Sequence, residues 1–296
     1  MTTEPAARPA RPSALGRNLA FIGLLGVVVV VAATIDLKLE RLADLPGQLA
    51  SIGAKMFLNP DLPYFPRATE LMVQSLQIAW IGTVMGAILS IPFGFLGARN
   101  VTGGLVANGM RQVLNAIRAF PELVLAIVFV AMIGLGPFAG TLAIGIHSIG
   151  TLGKLTAEVI EGIDPGPVEA AQATGANQVQ TLRWGVFPQV APEILAFWLY
   201  RFEINVRASA ILGIVGAGGI GEALSQALVY RRYERAGMLI IVVIVATIAI
   251  DVASGWLRRR IIEGGSGRGG SSRVQPELIE VDPHDRAHLH DQGALP

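Results

Sequence analysis

Apolar residues run through this chain in long stretches, and the polar residues gather between them. A helix that crosses a bilayer needs about 20 mostly apolar residues. Six stretches approach that length: 19–35, about 71–96, about 113–135, about 138–160, about 190–215 and 237–257. The fourth and fifth are interrupted by polar side chains. In lipid a segment must satisfy its own backbone hydrogen bonds, and at these lengths that means a helix. The pattern predicts an all-α, polytopic membrane protein with six transmembrane helices, its membrane domain spanning 19–262.

The first run, LAFIGLLGVVVVVAATI, also reads as a signal peptide, because arginines precede it and small residues follow. Five further spans favour a retained helix. Residues 36–70 mix charges with prolines and are expected outside the cytoplasm, whereas GGSGRGGSS opens a polar tail over 263–296 that is expected to be disordered. Orientation follows from basic residues near the helix ends. Arg8, Arg11 and Arg17 lie in an arm over 1–18, Arg99 and Arg111 follow the second span, and Arg258, Arg259 and Arg260 follow the sixth. With six spans these share one side, so both termini are expected in the cytoplasm of a bacterium, with the chain in its inner membrane. YRRYER (230–235) breaks the rule. It is a solvated face, a dock for an acidic binding protein, or an attractor of anions. Gly82 with Gly86, and Gly136 with Gly140, have the spacing that lets helices approach closely.

Composition agrees with lipid as the solvent. Hydrophobic residues make up 52% of the chain and charged ones 15%, against about 25% charged in soluble domains. A net charge of +1 gives no basic field for nucleic acid. The absence of cysteine excludes disulfides and thiolate chemistry.

Within GIVGAGGIGEAL (213–224), Gly216, Gly218 and Gly221 spell G-x-G-x-x-G. A dinucleotide site needs a strand before these glycines and an acid about 20 residues after them. Here an apolar helix precedes, another follows, and Glu234 stands in an arginine-rich loop. A nucleotide is therefore not expected. The segment is a break at the outer end of the fifth helix, where glycine permits tight turns, or else a gate or an anion-contacting backbone nest.

The segment EGIDPGPVEAAQATGANQVQTLRWGVFPQVAPEIL (161–195) is too polar to span and rich in helix formers. Asp164 is placed to cap a helix with Pro165 at its first position. That helix runs to about Thr174, where Gly175 ends it. A second short helix is expected from about Asn177 to Trp184, stopped by Pro188.

These residues carry a resemblance. Glu169, Ala170, Ala171 and Gly175 match the E-A-A-x-x-x-G motif of ABC importer permeases, and Gly185, Val186, Phe187 and Pro188 stand at the motif's apolar-x-apolar-Pro ending. Gly185 replaces the usual isoleucine there, and Phe187 the usual leucine. The stretches 118–155, 163–176 and 200–221 resemble the permease subunit of a phosphonate importer, and the likeness covers about 70–260. The resemblance implies an ABC type I importer permease fold, and two permease copies forming a homodimer around the pathway. It also implies two ATP-binding cassette subunits and an extracytoplasmic phosphonate-binding protein. ATP and Mg would be used by the partner ATPase, this chain being no enzyme and binding no cofactor; it carries no G-x-x-x-x-G-K-[ST] motif. The segment 161–188, with Glu169, Ala170, Ala171, Gly175 and Pro188, would couple ATPase closure to the helices. The resemblance favours a gate at Gly216, Gly218, Gly219 and Gly221.

The fifth span holds Arg201, Glu203, Asn205 and Arg207. Glu203 falls about 18 Å along it, near the midplane. Charges there are costly and face a cavity or a partner. Glu203 and Arg207 lie four apart and pair on one face. They form a structural ion pair, or line an anion pathway in which the arginine fork meets phosphate-like oxygens. Arg118 and Glu122 flank Pro121, as an interfacial pair at a kinked helix end or as part of a gate. His147 is a packing residue, or joins Lys154 in a polar stripe toward the channel. His284, His288 and His290 read as a solvated tail, with no acid or cysteine framework for a metal. Two other classes compete: an ion-coupled secondary transporter, which needs no coupling motif, and a membrane enzyme, for which no nucleophile with a base is present. Within the favoured class, phosphite, a phosphate ester or another small solute is the alternative cargo.

Overall fold

The computed structural model describes residues 14–34 and 39–266. The expected disorder over most of the tail, and the three tail histidines, lie outside those residues, as does most of the N-terminal arm. Two compact units divide the chain at Pro60. The first contains α1 (Ala14–Thr34), α2 (Leu39–Gly53) and a π-helical turn (Ala54–Leu58). The residues read as an excursion are thus largely helical.

The second unit contains α3 (Phe65–Gly97), α4 (Arg99–Thr102), α5 (Gly104–Ala119), α6 (Glu122–Ile133) and α7 (Pro137–Glu161). Next come α8 (Pro165–Ala173), α9 (Gln178–Thr181), α10 (Phe187–Leu212), α11 (Ile220–Val229) and α12 (Tyr233–Ser266). No strand occurs among the described residues. By length and apolarity two helices qualify to cross a membrane, 62–97 and 233–261, or up to four if each bent pair is one span. Six were expected. The apolar part of α1 is shorter, Asn18–Thr34. The third expected span is broken: α5 and α6 meet at 79°, because Pro121 has no amide hydrogen to continue the ladder. α7 has 25 residues, but glycine, serine and threonine lower its apolarity, and much of it is buried by the rest of the protein.

That packing rests on close approach. A Cβ added at Gly86 would lie 2.5 Å from Ser148 Cβ, and one at Gly82 would lie 2.8 Å from Ile144 Cγ2. The Gly82/Gly86 spacing therefore marks a real helix contact, of α3 against α7. Gly136 and Gly140 do not form one, because Gly136 precedes α7 in a non-helical conformation, φ 140°.

Candidate functional site

Four polar features interrupt the apolar packing. The first is the hairpin of α8 and α9. Asp164 caps α8, its Oδ1 accepting from the Gly166 amide at 2.9 Å. Gly175 ends the turn at φ 80°. Asn177 and Gln180 form a reciprocal capping box on α9. The expected second helix does not stop at Pro188. After Thr181 the chain makes a π-helical turn over Leu182–Val186 and enters α10, with Pro188 in the first turn of that helix. Proline is tolerated there because first-turn amides have no intrahelical acceptor. Gln189 clamps the hairpin from α10: it accepts from the Asp164 amide at 3.1 Å and donates to the Gly185 carbonyl at 2.6 Å. A Cβ on Gly185 would meet Val168 Cα at 3.1 Å, so the missing side chain lets α8 lie directly on the π turn. Glu169 and Ala170 face outward and are exposed.

At the base of the hairpin Glu161 gathers α4, α5 and α7. Its carboxylate accepts from the Arg99 amide at 2.7 Å and pairs with Arg111 at 2.5 Å. Burial alone would raise the Glu161 pKa. The Arg99 amide and the Arg111 guanidinium outweigh it and hold the carboxyl below its ordinary 4.5.

The second feature is a buried network among α3, α6, α7 and α10. Arg201 is 6% exposed and Asn205 wholly buried. Arg201 pairs with Glu122 and donates to Ser148 Oγ at 3.1 Å. Asn205 Nδ2 donates to Thr83 Oγ1 at 2.8 Å and to Ser148 at 3.1 Å. His147 Nδ1 lies 3.1 Å from the Phe120 carbonyl, and its Nε2 lies 3.5 Å from Glu122. Glu122 thus turns to Arg201, and Arg118 is exposed without a pair to it, contrary to the expected Arg118–Glu122 contact. His147 belongs to this network, while Lys154 reaches Glu158 on its own helix at 4.0 Å.

The third feature lies on another face of α10, because two residues advance a helix by about 200°. Glu203 and Arg207 pair at 3.2 Å, as their spacing predicts. Two partners from α12 were not foreseen: Arg258 reaches Glu203 at 3.8 Å and Asp251 reaches Arg207 at 3.6 Å. The four residues Arg201, Glu203, Asn205 and Arg207 therefore split into a buried network and a half-exposed ion cluster.

The fourth feature is the glycine loop between α10 and α11. Gly216, Gly218 and Gly219 hold φ of 84°, 78° and 77°. The Gly219 amide is taken by Gln74 at 3.2 Å and the Ile220 amide by Ser75 at 2.9 Å. These amides are occupied by α3, which weighs against an anion nest there. A Cβ on Gly221 would stand 1.7 Å from the Ala210 carbonyl oxygen. The motif is a chain reversal packed on helices, with no strand before it. YRRYER is only partly a loop: Tyr233 opens α12, and Arg235 pairs with Asp61 at 3.0 Å.

Ser148, Thr83, Gln189, Asp251 and Arg258 escaped the sequence reading as partners. Ser148 and Thr83 are polar residues inside otherwise apolar runs, which is a usable signal; Gln189 carries none.

A helical membrane scaffold with an exposed hairpin at one end and buried charges in its middle has the form of a transport permease. A family described as binding-protein-dependent transport system inner membrane component matches residues 90–263. The protein belongs to this family. It is similar to the phosphate-import permease protein PhnE of Mycolicibacterium smegmatis, 42% identical over 261 residues, 86% of this chain and 49% of that one. This chain thus spans about half the length of that relative. The phosphite transport system permease protein PtxC of Stutzerimonas stutzeri is 36% identical over 240 residues, 81% of this chain and 82% of its own. Among solved structures, an inward-facing form of the MetNI methionine ABC transporter superposes with a TM-score of 0.59 at 20% identity, covering 68% of this chain and 99% of that one. The fold is that of ABC type I importer permeases.

Proposed function

We propose that this chain is the permease subunit of an ATP-driven importer for a phosphorus oxyanion: a phosphonate, phosphite or phosphate. The observation that carries this is 36–42% identity, over four-fifths of the chain or more, to permeases named for phosphate and phosphite. Two copies form the pathway. Two cytoplasmic ATPase subunits, which bind the ATP and Mg, dock on α8 through Glu169 to Gly175, and an extracytoplasmic binding protein delivers the solute. Both termini lie in the cytoplasm.

The geometry supports this reading. α8 is capped at both ends and clamped by Gln189 to the first turn of α10. A push on its exposed alanine face is transmitted to a membrane helix rather than absorbed by a loose loop. Arg201 and Arg207 lie on that same helix, and their guanidinium forks match tetrahedral oxyanions. Arg207, at 47% exposure, is the one open to solute. Arg201 is held by Glu122 and sets the shape of the pathway. The loop at 216–221, seated on α3, closes the outer end.

The test is ATP-dependent uptake by proteoliposomes holding the permease, its ATPase and its binding protein. Saturable uptake of methylphosphonate, phosphite or phosphate is expected. Uptake of another solute with no response to any of the three would refute the cargo and keep the importer. Uptake by this chain alone under an ion gradient would refute the importer.

A further inference from the structure

A groove of about 340 Å³ lies between α3, α10 and α12, walled by Trp80, Ala87, Leu199, Phe202, Leu257 and Ile261. Thr83 is the one hydroxyl in its lining, and that hydroxyl already donates to the Ala79 carbonyl. The Trp198 indole N–H, also in the lining, has no partner but is buried, so the groove offers a polar solute almost no accessible polar atom. Trp80, Ile88 and Leu257 along it are exposed on the two helices that are long and apolar enough to cross a membrane. Trp80 and Phe202 meet edge to face at 5.4 Å in its wall.

Beside this apolar wall stands a run of positive charge. Between Leu257 and Ile261, both in the wall, α12 carries Arg258, Arg259 and Arg260. At about 100° per residue, Arg258 and Arg260 leave the helix on opposite sides of the Leu257–Ile261 stripe. Arg258 lies over the Tyr200 ring at 5.8 Å and reaches Glu203. Arg260 lies 4.1 Å over Trp256 and meets no carboxylate among the described residues. The groove is therefore apolar along its length and flanked by cations at the helix end. Acyl chains are as apolar as leucine and gain nothing special from such a wall, so preference for one lipid must come from the headgroup. A basic cluster at a membrane surface attracts anionic headgroups, and a guanidinium fork suits a phosphate.

We propose that this groove is a binding site for an anionic phospholipid, one acyl chain lying against Leu199 and Phe202 and the phosphate held by Arg260 beside Arg258. The site adjoins the Glu203–Arg207 cluster through Arg258 and does not depend on which solute is carried.

The full-length chain in detergent, titrated with phosphatidylglycerol or phosphatidylcholine of identical acyl chains, is read by native mass spectrometry for bound lipid. The wild type retains phosphatidylglycerol about thirtyfold better than phosphatidylcholine, as two arginines near a phosphate imply at about 1 kcal/mol each. Arg260→Gln lowers phosphatidylglycerol retention about fivefold and leaves phosphatidylcholine unchanged. Leu199→Trp, which fills the groove, lowers both. Equal retention of the two lipids by the wild type overturns the proposal, and so does a phosphatidylglycerol signal indifferent to both variants. The chain has no cysteine, so Val84→Cys in native membranes reports the competing occupant. Little covalent dimer is expected on oxidation, and a high yield would place a second copy over the groove and overturn the lipid site.

Discussion

Arg201 and Arg207 are six residues apart on one helix and have opposite surroundings. Arg201 is 6% exposed, and its loss strands Glu122 among buried neighbours. Removing one partner of a buried pair costs about 3–5 kcal/mol. Arg207→Ala leaves Glu203 with Arg258 still in reach, and a half-exposed pair is worth about 1 kcal/mol or less after solvent screening. Thermal unfolding of the detergent-solubilised protein separates them: Arg201→Ala unfolds far earlier and Arg207→Ala close to wild type. Similar losses for both would contradict the split. Two glycines differ in the same way. Gly221→Ala drives a methyl into the Ala210 carbonyl and costs about 3 kcal/mol or more. Gly109→Ala, on the open surface of α5 with nothing within 4 Å, gains roughly 0.5–1 kcal/mol. The same melting experiment, run on these two variants, gives shifts of opposite sign. The Glu203–Arg207 pair was legible because four residues is a helical repeat. The Glu122–Arg201 pair was not, since 79 residues separate its members and no local spacing announces it.

At the scale of elements, the hairpin was the most readable part. Asp164, Pro165 and Gly175 are start and stop signals whose chemistry is local, and the structure places each at its expected end of α8. The π turn at Leu182–Val186 was not readable. Such a turn arises where packing needs an extra residue per turn, and here the contact that needs it, Gly185 against Val168, is tertiary. Gly185→Ile forces α8 off this seat. The expected result is normal insertion in the membrane with reduced coupling of ATP hydrolysis to uptake; retained coupling would show that α8 needs no firm seat. The base of the hairpin also carries a pH dependence. The Glu161 pKa is lowered in the folded protein, so its stabilisation is complete above the ordinary carboxylate value of 4.5 and is lost as the pH falls through the lowered one. Unfolding midpoints followed downward from pH 6 fall more steeply in the wild type than in Glu161→Gln, and parallel curves would contradict this. The bend at Pro121 had a visible signal in the proline. Its 79° angle did not, because a missing amide breaks the ladder without fixing the direction in which the chain resumes.

Across the whole molecule, hydropathy gave the class of protein, whereas two to four of the six expected spans meet the criteria of length and apolarity. A run of apolar residues reports burial without saying whether lipid or protein does the burying, and α7 is buried by protein. On the proposed function, a rigid hairpin on a membrane scaffold passes the work of a partner ATPase to a helix bearing arginines. The most direct measurement is ATP hydrolysis by the complete complex in lipid, with and without an alkylphosphonate on its binding protein, for wild type and Glu169→Lys. Phosphonate is expected to stimulate the wild type and not Glu169→Lys, with the complex still assembled. Equal stimulation in both would contradict the coupling role of α8.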